Sequence, residues 1–580
     1  MKSIKKNISL KKRISVVGWI FSFVFWLIIA RILYLQVINR AFLSEKASAQ
    51  YEKSFVLCGK RGSILDTNQN DLAVSVQLVS IAGYPAMIDD PGMAANQLSG
   101  VLGLKKQDLL KTLKSTKSFV WIKRQINPQE EKAVESLKLK GIGLLTEYSR
   151  FYPNTTLSAQ VLGFCGLDGK GLEGLEFFYN SQLQETANRF TVIRDALGRK
   201  LNDDKKLQIN YSGNHLILTI DKAIQFITES ALAEAVKTFK AKAGAAVVMD
   251  IKTGELLAMA NYPFFNPNTF SEYDRDRWRN RIVTDTFEPG SVMKVFVSAI
   301  ALDKGYVKLT DTFFCENGNY RVYRNTIHDT HSYGKLTVPE IIKYSSNIGA
   351  VKIFEKMGAK ALYEGYRRFG FAEKSGIDTS GETPGYLANY SKWKPIDGST
   401  IAFGQGIAVT PLQLVSAVSA IANNGELMRP FLVKEIVNHK GETVQRVTPE
   451  KVRTVISKET AEKVKYMMRL VVEEGGTGVN AALDTIEVCG KTGTAQKVES
   501  GGYAKGKYIS SFLGYAPYND PKLAVLVVIY EPIGKYYAGT VAAPAFKKIV
   551  YDTMTYLEHQ SPRKKQQTLA VSNQYGVFQR

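Results

Sequence analysis

A serine and a lysine three residues apart are the first candidates for chemistry in this 580-residue chain. Ser291 and Lys294 follow Pro289-Gly290, which interrupts the backbone, and they open the run 291–303, which predicts a helix. At this spacing both side chains lie on one face. A serine hydroxyl needs a base to act as a nucleophile, and a lysine serves when its pKa is lowered. Alone, however, the pair is more typical of an N-cap serine followed by a surface lysine, because S-x-x-K occurs by chance in any long chain.

Two further polar motifs lie downstream and contain residue types that assist a nucleophilic serine. They are Ser345-Ser346-Asn347 and Lys491-Thr492-Gly493-Thr494. Each alone could be structural, the first as a helix cap and the second as a strand with a glycine bulge. S-x-x-K, S-x-N and K-T-G in this order are the signature of penicillin-recognising serine enzymes. Together the three motifs therefore predict an active-serine enzyme.

Composition bounds the class of protein. The length suggests about three domains, and the hydrophobic content of 45% is ordinary for a folded chain. The net charge of +22 is spread along the chain without a nucleic-acid motif, which favours a surface facing anionic membrane or cell wall. The five histidines and four cysteines show no metal-ligand spacing, so we expect no metal, no cofactor and buried free thiols at Cys58, Cys165, Cys315 and Cys489.

The N-terminus predicts a membrane anchor. Residues 1–13 contain six Lys/Arg and no acid, and residues 14–38 are mainly apolar and carry no charge apart from Arg31. A helix of this length spans a bilayer of roughly 30 Å, and no small-residue cleavage site follows it. The basic flank predicts a cytoplasmic tail, one uncleaved transmembrane helix and an extracytoplasmic remainder.

The rest of the chain divides into a mixed region, 41–210, and a larger region, 215–558. In the first, polar motifs at 61–66, 150–153 and 171–176 offer no nucleophile–base pair, so we expect arginine–glutamate pairs across a domain junction and glycine turns. In the second, strand patterns at both ends flank helical stretches. This order predicts an α/β (α+β) domain with an antiparallel sheet completed late and a helical subdomain inserted. The polar tail 560–580 is expected to be disordered.

With these motifs in place, the chain resembles a class B penicillin-binding protein over residues 14–555. Three stretches are more similar to the septal, division-specific branch than to the elongation branch: Glu288 before Pro289-Gly290-Ser291, Ser345-Ser346-Asn347, and the run 491–497. The resemblance implies a transpeptidase domain carried by a pedestal (dimerisation-type) domain. No glycan-polymerising domain is apparent in the sequence.

The resemblance also implies a reaction, the cross-linking of peptidoglycan at the division septum. Ser291 attacks a stem peptide that ends in D-Ala-D-Ala, and an amine of a second stem takes the acyl group. Lys294 accepts the serine proton, Ser346 relays it to the leaving amine, and Asn347 holds Lys294 and the substrate amide.

The third motif is expected to bind the donor. Backbone N–H groups of Ser291 and Thr494 form the oxyanion hole, and Lys491, Thr492 and Thr494 bind the terminal carboxylate. Lys491 also brings a second cation near the base and lowers its pKa. Gly493 lets the strand approach the substrate closely.

The partners implied are peptidoglycan stem peptides, β-lactam antibiotics, an FtsW-type glycan polymerase and other division proteins at the cytoplasmic (inner) membrane. Several alternatives stay open: an elongation-specific transpeptidase, a D,D-carboxypeptidase, a β-lactamase, and a non-catalytic penicillin sensor or scaffold. A β-lactamase needs a carboxylate that activates water, and the sequence does not exclude that Glu340 or Glu382 folds into the site.

Overall fold

The chain divides between two units, each built from separate stretches. The computed structural model describes residues 2–40, 52–56, 60–184, 189–193, 212–499 and 502–575. The first unit contains 1–59, 78–147 and 186–210, and the second contains 60–77, 148–185 and 211–580. The expected region 41–210 is thus shared between the two units.

The N-terminal segment of the first unit is a long helix, Lys2–Leu33, continued by a π-helix, Tyr34–Ile38. Residues 12–37 have a mean hydropathy of 2.3, and no part of this stretch is buried. At 1.5 Å per residue, these 26 residues are long enough to cross the roughly 30 Å hydrocarbon core of a bilayer.

The rest of the first unit is a small α/β assembly. Its helices are Pro91–Leu102, Lys106–Leu113 and Pro128–Ser136. Residues 79–83 pair antiparallel with the strand Val120–Ile126, and Glu52–Val56 pairs with Arg189–Ile193. The core between these elements is formed by aliphatic side chains that include Ile81, Leu98 and Leu109.

An antiparallel five-stranded sheet is the centre of the second unit. Its strands are β1 (Ala243–Asp250), β2 (Leu256–Tyr262), β3 (Cys489–Glu499), β4 (Gly502–Ala516) and β5 (Leu523–Tyr530). The order is β3-β4-β5-β1-β2, so the last strands of the chain lie between β3 and the first two. The prediction of an antiparallel sheet completed late is confirmed. Nearly all residues of β1 and β5 are buried, which explains their continuous apolar sequences.

Helices cover both faces of this sheet. The longer ones are α1 (Lys222–Thr238), α2 (Met293–Asp303), α3 (Val338–Tyr344), α4 (Asn347–Arg368), α5 (Pro411–Ala422), α6 (Lys458–Leu470) and α7 (Ala543–Tyr575). Helices α1 and α7 pack on one face, and α2 and α5 belong to the core on the other. The helical subdomain is therefore inserted between β2 and β3, as predicted.

The second unit also contains shorter strands. They are Ile64–Leu65, His215–Leu218, Thr312–Phe314, Asn319–Val322, Asn325–His328, Lys335–Thr337, Tyr386–Leu387, Ile407–Ala408, Glu426–Met428, Val433–Val437, Thr443–Arg446 and Lys451–Thr454. Helix α7 continues to Tyr575, and the disorder expected for the tail 560–580 stays a prediction.

The polar motifs at 61–66, 150–153 and 171–176 meet within the second unit. Arg61 Nε lies 2.6 Å from Glu176 Oε2, and Arg150 Nε lies 2.5 Å from Glu176 Oε1. Tyr152 and Cys165 also donate to this carboxylate, which is fully buried. We name Arg61, Arg150, Tyr152, Cys165 and Glu176 the arginine–glutamate cluster. The predicted pairing exists, but within one unit rather than across a junction.

The glycines beside this cluster allow close backbone contacts. A Cβ on Gly62 would lie 1.8 Å from the carbonyl oxygen of Asn214, and one on Gly171 would lie 1.9 Å from that of Glu176. Cys165, Cys315 and Cys489 are free and buried, as predicted, and Cys58 lies outside the described residues.

Candidate active site

Ser291 lies in a single 3₁₀ turn, Gly290–Val292, that leads directly into α2. Gly290 has a φ of +58° and donates its N–H to the carbonyl of Gly404. A Cβ on Gly404 would lie 2.1 Å from the Gly290 oxygen, so glycine is required for this approach. Ser291 stays partly exposed while the residues that follow it in α2 are buried. The hydroxyl is therefore presented on a rigid element.

Lys294 lies one turn further along the helix and is fully buried. Its Nζ donates to the backbone oxygen of Ser345 at 2.5 Å and approaches Ser345 Oγ at 3.3 Å. Burial lowers the pKa of Lys294 to about 7, and the nearby carboxylate of Asp329 opposes this effect in part. Near neutral pH the amine is thus present in both protonation states and can accept a proton.

Lys491 approaches the same serine from β3. Its Nζ donates to Ser345 Oγ at 2.9 Å and to the carbonyl of Thr492 at 3.2 Å. Burial first, and the charge of Lys294 second, hold the pKa of Lys491 well below its usual value. Ser345 Oγ therefore lies between two buried lysines, which repel each other when both are charged.

The backbone of Ser345 explains how its side chain reaches this position. The residue follows α3 with φ +61° and ψ +40°, a left-handed conformation that costs a non-glycine residue about 1–2 kcal/mol. Ser346 then begins α4 as its N-cap and accepts from the N–H of Gly349. The left-handed residue between the two helices thus directs neighbouring serines to different surroundings.

This turn corrects the roles predicted for the second motif. Ser346 Oγ donates to Asp329 at 2.6 Å and is fully buried, away from the lysines, so the structure does not support a proton relay through Ser346. Ser345, not Ser346, lies between the two lysines, where the sequence predicted the relay serine. The side chain of Asn347 donates to the carbonyl of His328 at 2.7 Å rather than to Lys294. Asn347 still lines the cavity beside Ser291.

The third motif lies along the edge strand β3. Thr492 Oγ1 is 3.0 Å from Thr477 Oγ1, and Thr494 Oγ1 accepts from the N–H of Ala538 at 3.1 Å. Both threonines line the same cavity as Ser291. Their hydroxyls and the strand backbone are therefore available to a ligand at this edge.

The structure gives a second reason for glycine at position 493, beyond the predicted close approach of the strand to the substrate. A Cβ at this position would lie 2.5 Å from Ser511 Oγ and 2.7 Å from both the Pro289 oxygen and a methyl of Val292. Only glycine lets β3 pack this closely on the turn that carries the nucleophile. The K-T-G motif and the S-x-x-K motif are thus joined by direct packing.

These groups converge on a cavity of about 650 Å³. Its described lining consists of Gly290, Ser291, Thr330, His331, Tyr344, Ser345, Asn347, Phe403, Gln405, Thr477, Asn480, Thr492, Thr494, Ala495, Tyr537, Ala538, Gly539 and Thr540. None of these lining residues is Asp or Glu. A larger cavity of about 970 Å³ lies beside α1 and includes no residue of the S-x-x-K, S-x-N or K-T-G motifs.

The two glutamates left open by the sequence are engaged elsewhere. Glu340 accepts from the N–H of Thr337 at 2.8 Å and caps α3. Glu382 accepts from the N–H of Ser375 at 2.6 Å. Neither lines the cavity with Ser291. The arrangement has a nucleophile and basic groups, but neither glutamate is placed to activate water.

Sequence reasoning missed several residues of the site. Ser345 could have been found, because it is the first serine of S-x-N. Glu288 accepts from the N–H of Gly406 at 2.7 Å and from the hydroxyl of Tyr503 at 3.0 Å, and so ties the nucleophile turn to two neighbouring segments. Asp329 and Tyr537 belong to no motif, and their positions follow only from the fold.

Comparisons with known proteins agree with this geometry. The family described as penicillin binding protein transpeptidase domain matches residues 244–551, and that described as penicillin-binding protein dimerisation domain matches residues 57–218. The chain is 36% identical to the probable peptidoglycan D,D-transpeptidase PenA of Neisseria gonorrhoeae, covering 96% of this chain and 94% of the relative.

Two further relatives also match most of the chain. The peptidoglycan D,D-transpeptidase FtsI of Escherichia coli K12 is 34% identical over 90% of this chain and 88% of its own length. Stage V sporulation protein D of Bacillus subtilis is also 34% identical, over 97% of this chain and 88% of its own length.

Among solved structures, penicillin-binding protein 3 of Mycobacterium tuberculosis, complexed with aztreonam, superposes with a TM-score of 0.68 at 25% identity. The match covers 87% of this chain and 97% of that one. A peptidoglycan synthetase of Bifidobacterium adolescentis gives 0.70 at 26%, with the same coverage. The transpeptidase-domain family matches more than half of the chain, relatives match over nearly its full length, and the structure brings the serine and lysine residues together at one cavity. The chain therefore belongs to the class B penicillin-binding proteins and is a peptidoglycan D,D-transpeptidase.

Proposed function

We propose that this transpeptidase cross-links stem peptides through an acyl-enzyme on Ser291 and does so at the division septum. The observation that carries the chemical part is the convergence of Lys294, Ser345 and Lys491 beside the Ser291 cavity. This geometry supplies a nucleophile, a base with a pKa near neutrality, and a hydroxyl between two proton-carrying groups.

In the acylation step, Ser291 Oγ bonds to the carbonyl carbon of the penultimate D-Ala while Lys294 takes the hydroxyl proton. The C–N bond to the terminal D-Ala then breaks, and the leaving amine takes a proton. Ser345 Oγ, hydrogen-bonded to Lys491 at 2.9 Å and 3.3 Å from Lys294 Nζ, is placed to pass that proton. An amine of a second stem then attacks the acyl carbon, loses a proton and releases Ser291.

Binding roles follow from the edge of β3. Lys491, Thr492 and Thr494 would hold the terminal carboxylate, and the N–H groups of Ser291 and Thr494 would stabilise the developing oxyanion. A donor lying along β3 would place its scissile carbonyl beside Ser291. Asn347 and Gly493 border this path, with Gly493 allowing the close packing of the nucleophile turn.

Ser291→Ala tests the chemical proposal. The variant should fold, form no covalent adduct with labelled penicillin and give no cross-linked product from stem peptides. Ser298→Ala is the matched control, because Ser298 lies buried on the same helix and its Oγ has no hydrogen-bond partner among the described atoms. Labelling of purified Ser291→Ala at the rate of Ser298→Ala would refute Ser291 as the nucleophile.

The septal role is supported by the motif context and by relatives named FtsI. Depletion in the cell separates it from the alternatives. Filaments indicate a role in division, and round cells indicate elongation. Normal growth with defective spores would favour the role named for Stage V sporulation protein D.

The cellular arrangement is also a proposal. The basic tail 1–13 lies in the cytoplasm, the helix 14–38 crosses the inner membrane, and the pedestal 41–210 carries the catalytic region 215–558 outside it. A polymerase of the FtsW type and other division proteins act beside it. A reporter fused after residue 580 should be active only outside the cytoplasmic membrane. Loss of polymerase co-purification on deletion of 14–38 and the pedestal would support the contact, and its persistence would contradict it.

The β-lactam adduct should be long-lived. A β-lactam leaving group stays tethered to the acyl chain and obstructs the acceptor, and neither Glu340 nor Glu382 is placed to activate water. Intact-protein mass spectrometry after a pulse of penicillin should follow an adduct for many minutes. Disappearance within seconds, with steady release of penicilloic acid, would favour a β-lactamase.

A further inference from the structure

A single carboxylate holds the S-x-N turn from outside the helices that form it. Asp329 follows the strand Asn325–His328, and its Oδ2 accepts from Ser346 Oγ at 2.6 Å. Its Oδ1 accepts from the backbone N–H groups of Asn347 and Ile348, the latter at 3.2 Å. One side chain thus satisfies two of the open N–H groups at the start of α4.

The strand that carries Asp329 makes a second contact with the same turn. The carbonyl of His328 accepts from the side-chain amide of Asn347 at 2.7 Å. Asp329 itself is anchored by its N–H, which donates to the carbonyl of Gly318. His328 and Asp329 therefore hold Ser346, Asn347 and Ile348 by hydrogen bonds from one side.

These hydrogen bonds matter because Ser345, which precedes Ser346, has a strained backbone conformation. Ser345 has the left-handed φ of +61°, which persists in a non-glycine residue only where surrounding contacts determine it. Lys294 and Lys491 hold Ser345 from the cavity side, and Asp329 fixes the residues that follow it. Without Asp329, the turn can relax and withdraw Ser345 Oγ from the lysines.

Asp329 also contributes charge. The charged groups that face Lys294 are Lys491 from β3 and Asp329 from the strand side. The titratable groups Cys315 and Tyr333 also feel the carboxylate, and burial raises the pKa of each. A negative charge near Lys294 favours its protonated form and works against burial.

We propose that Asp329 is a positioning residue for acylation, holding the Ser345–Asn347 turn against the two lysines and setting the charge around the base. This inference rests on the proposed role of Lys294 as base. The rate of acylation should rise with pH as Lys294 loses its proton, with a midpoint near its pKa of about 7. Removing the carboxylate charge lowers that pKa, so the midpoint moves to lower pH.

The test is the pH profile of the acylation rate constant of the full-length protein with a fluorescent penicillin, followed by stopped flow. Asp329→Asn removes the charge while keeping an oxygen for the N–H groups, so its midpoint should fall by about half a pH unit or more. Asp329→Glu keeps the charge, so its midpoint should match the wild type although the rate drops at every pH. Asp221→Asn is the matched control, because Asp221 caps α1 in the same unit and does not line the cavity.

The outcomes distinguish a failure of the role proposed for Asp329 from a failure of the role of Lys294 as base. A shifted midpoint in Asp329→Asn, with Asp221→Asn and Asp329→Glu unshifted, supports the inference. An unshifted Asp329→Asn beside a normal wild-type profile would overturn the role of Asp329 alone. A wild-type rate that does not rise with pH would overturn Lys294 as base and the inference with it. If Asp329→Asn fails to fold, an Asp329→Glu midpoint below the wild type still contradicts the proposal.

Discussion

The second unit buries two charged groups of residues that differ in how their charges are balanced. In the arginine–glutamate cluster, both oxygens of Glu176 are paired, with Arg61 at 2.6 Å and Arg150 at 2.5 Å. In the active site, Lys294 and Lys491 are both fully buried and share hydrogen bonds with the neutral Ser345. The first arrangement pairs opposite charges, and the second brings like charges together.

This difference decides which groups exchange protons. Burial alone would raise the pKa of the Glu176 carboxyl, but Arg150 and Arg61 hold it below its usual value. Burial lowers the pKa of both lysines, and Lys294 adds repulsion at Lys491. A buried charge with opposite partners stays ionised and fixes structure. The buried amine of Lys294, whose pKa burial lowers to about 7, titrates near neutral pH and becomes available for catalysis.

The largest expected effect comes from changing the base without changing its charge. Lys294→Arg should slow acylation about 10³-fold, because arginine does not release its proton at usable pH. The rate of penicillin labelling measures this. Lys465→Arg is the control, since Lys465 is also buried but lies on α6 and pairs with Glu462. A Lys294→Arg rate within tenfold of the wild type would show that another group is the base.

In the balanced cluster, the expected effect is on stability. Glu176→Ala leaves two buried arginines without a counter-charge and should lower the free energy of unfolding by about 3–5 kcal/mol. Thermal unfolding measures this, and the labelling rate per folded molecule should stay near that of the wild type. Glu473→Ala, which removes a partly exposed pair with Arg469, should cost less than about 1 kcal/mol. Equal losses in the two variants would contradict the comparison.

The arginine–glutamate cluster should change the pH dependence of stability at acid pH, below the range in which Lys294 titrates. Because the folded-state pKa of Glu176 is lowered, its contribution is fully present above the ordinary value of 4.5 and is lost as pH falls through the lowered value. Acid should therefore destabilise wild type more than Glu176→Ala.

Much of this architecture was predictable from local patterns. The continuous apolar runs of β1 and β5 indicated buried strands, and the order of elements indicated a sheet completed late. The three motifs predicted which residues should meet, and the structure brings them together at one cavity. These features depend on short stretches of sequence and on burial.

The sequence could not predict features that depend on the backbone conformation of a single residue or on contacts between residues distant in sequence. Ser345 and Ser346 are adjacent and chemically identical, and only the left-handed φ at Ser345 determines which one faces the lysines. Asp329 lies 17 residues before Ser346, and nothing near it in sequence marks their hydrogen bond. Likewise, Gly493 is a motif residue whose close neighbour Pro289 could be found only from the fold.

A smaller effect should follow from removing one of the two like charges. Lys294→Met should slow acylation about as much as Lys294→Arg, yet raise the free energy of unfolding by about 1–2 kcal/mol at pH 7. The sign follows from the lowered pKa of about 7 against 10.5 for an ordinary lysine. Between these values the unfolded state binds one more proton, so wild-type stability rises with pH and the advantage of Met shrinks. Unfolding at pH 7 and pH 9 measures the difference, and a gap that widens with pH would contradict it.

The smallest effect separates charge from hydrogen bonding within the arginine–glutamate cluster. Cys165 Sγ donates to Glu176 Oε2 at 3.2 Å, and burial, followed by the Glu176 charge, raises the pKa of this thiol to about 12. The thiol therefore stays a neutral donor, and Cys165→Ala should cost about 1–2 kcal/mol. Cys489→Ala is the matched control, because Cys489 is also buried but its Sγ donates to a neutral acceptor, the carbonyl of Lys465, at 3.6 Å.

Cys165→Ser sharpens this last comparison, since a hydroxyl keeps the donor and removes only the sulfur. Thermal unfolding should rank the proteins with Cys165→Ser nearest the wild type and Cys165→Ala below Cys489→Ala. Such a ranking would mean that the hydrogen bond from the Cys165 thiol stabilises the buried Glu176 carboxylate in addition to the two arginines. A Cys165→Ala protein as stable as the wild type would show that Arg61 and Arg150 alone satisfy the buried charge, and that the cluster is held by charge pairing without help from the thiol.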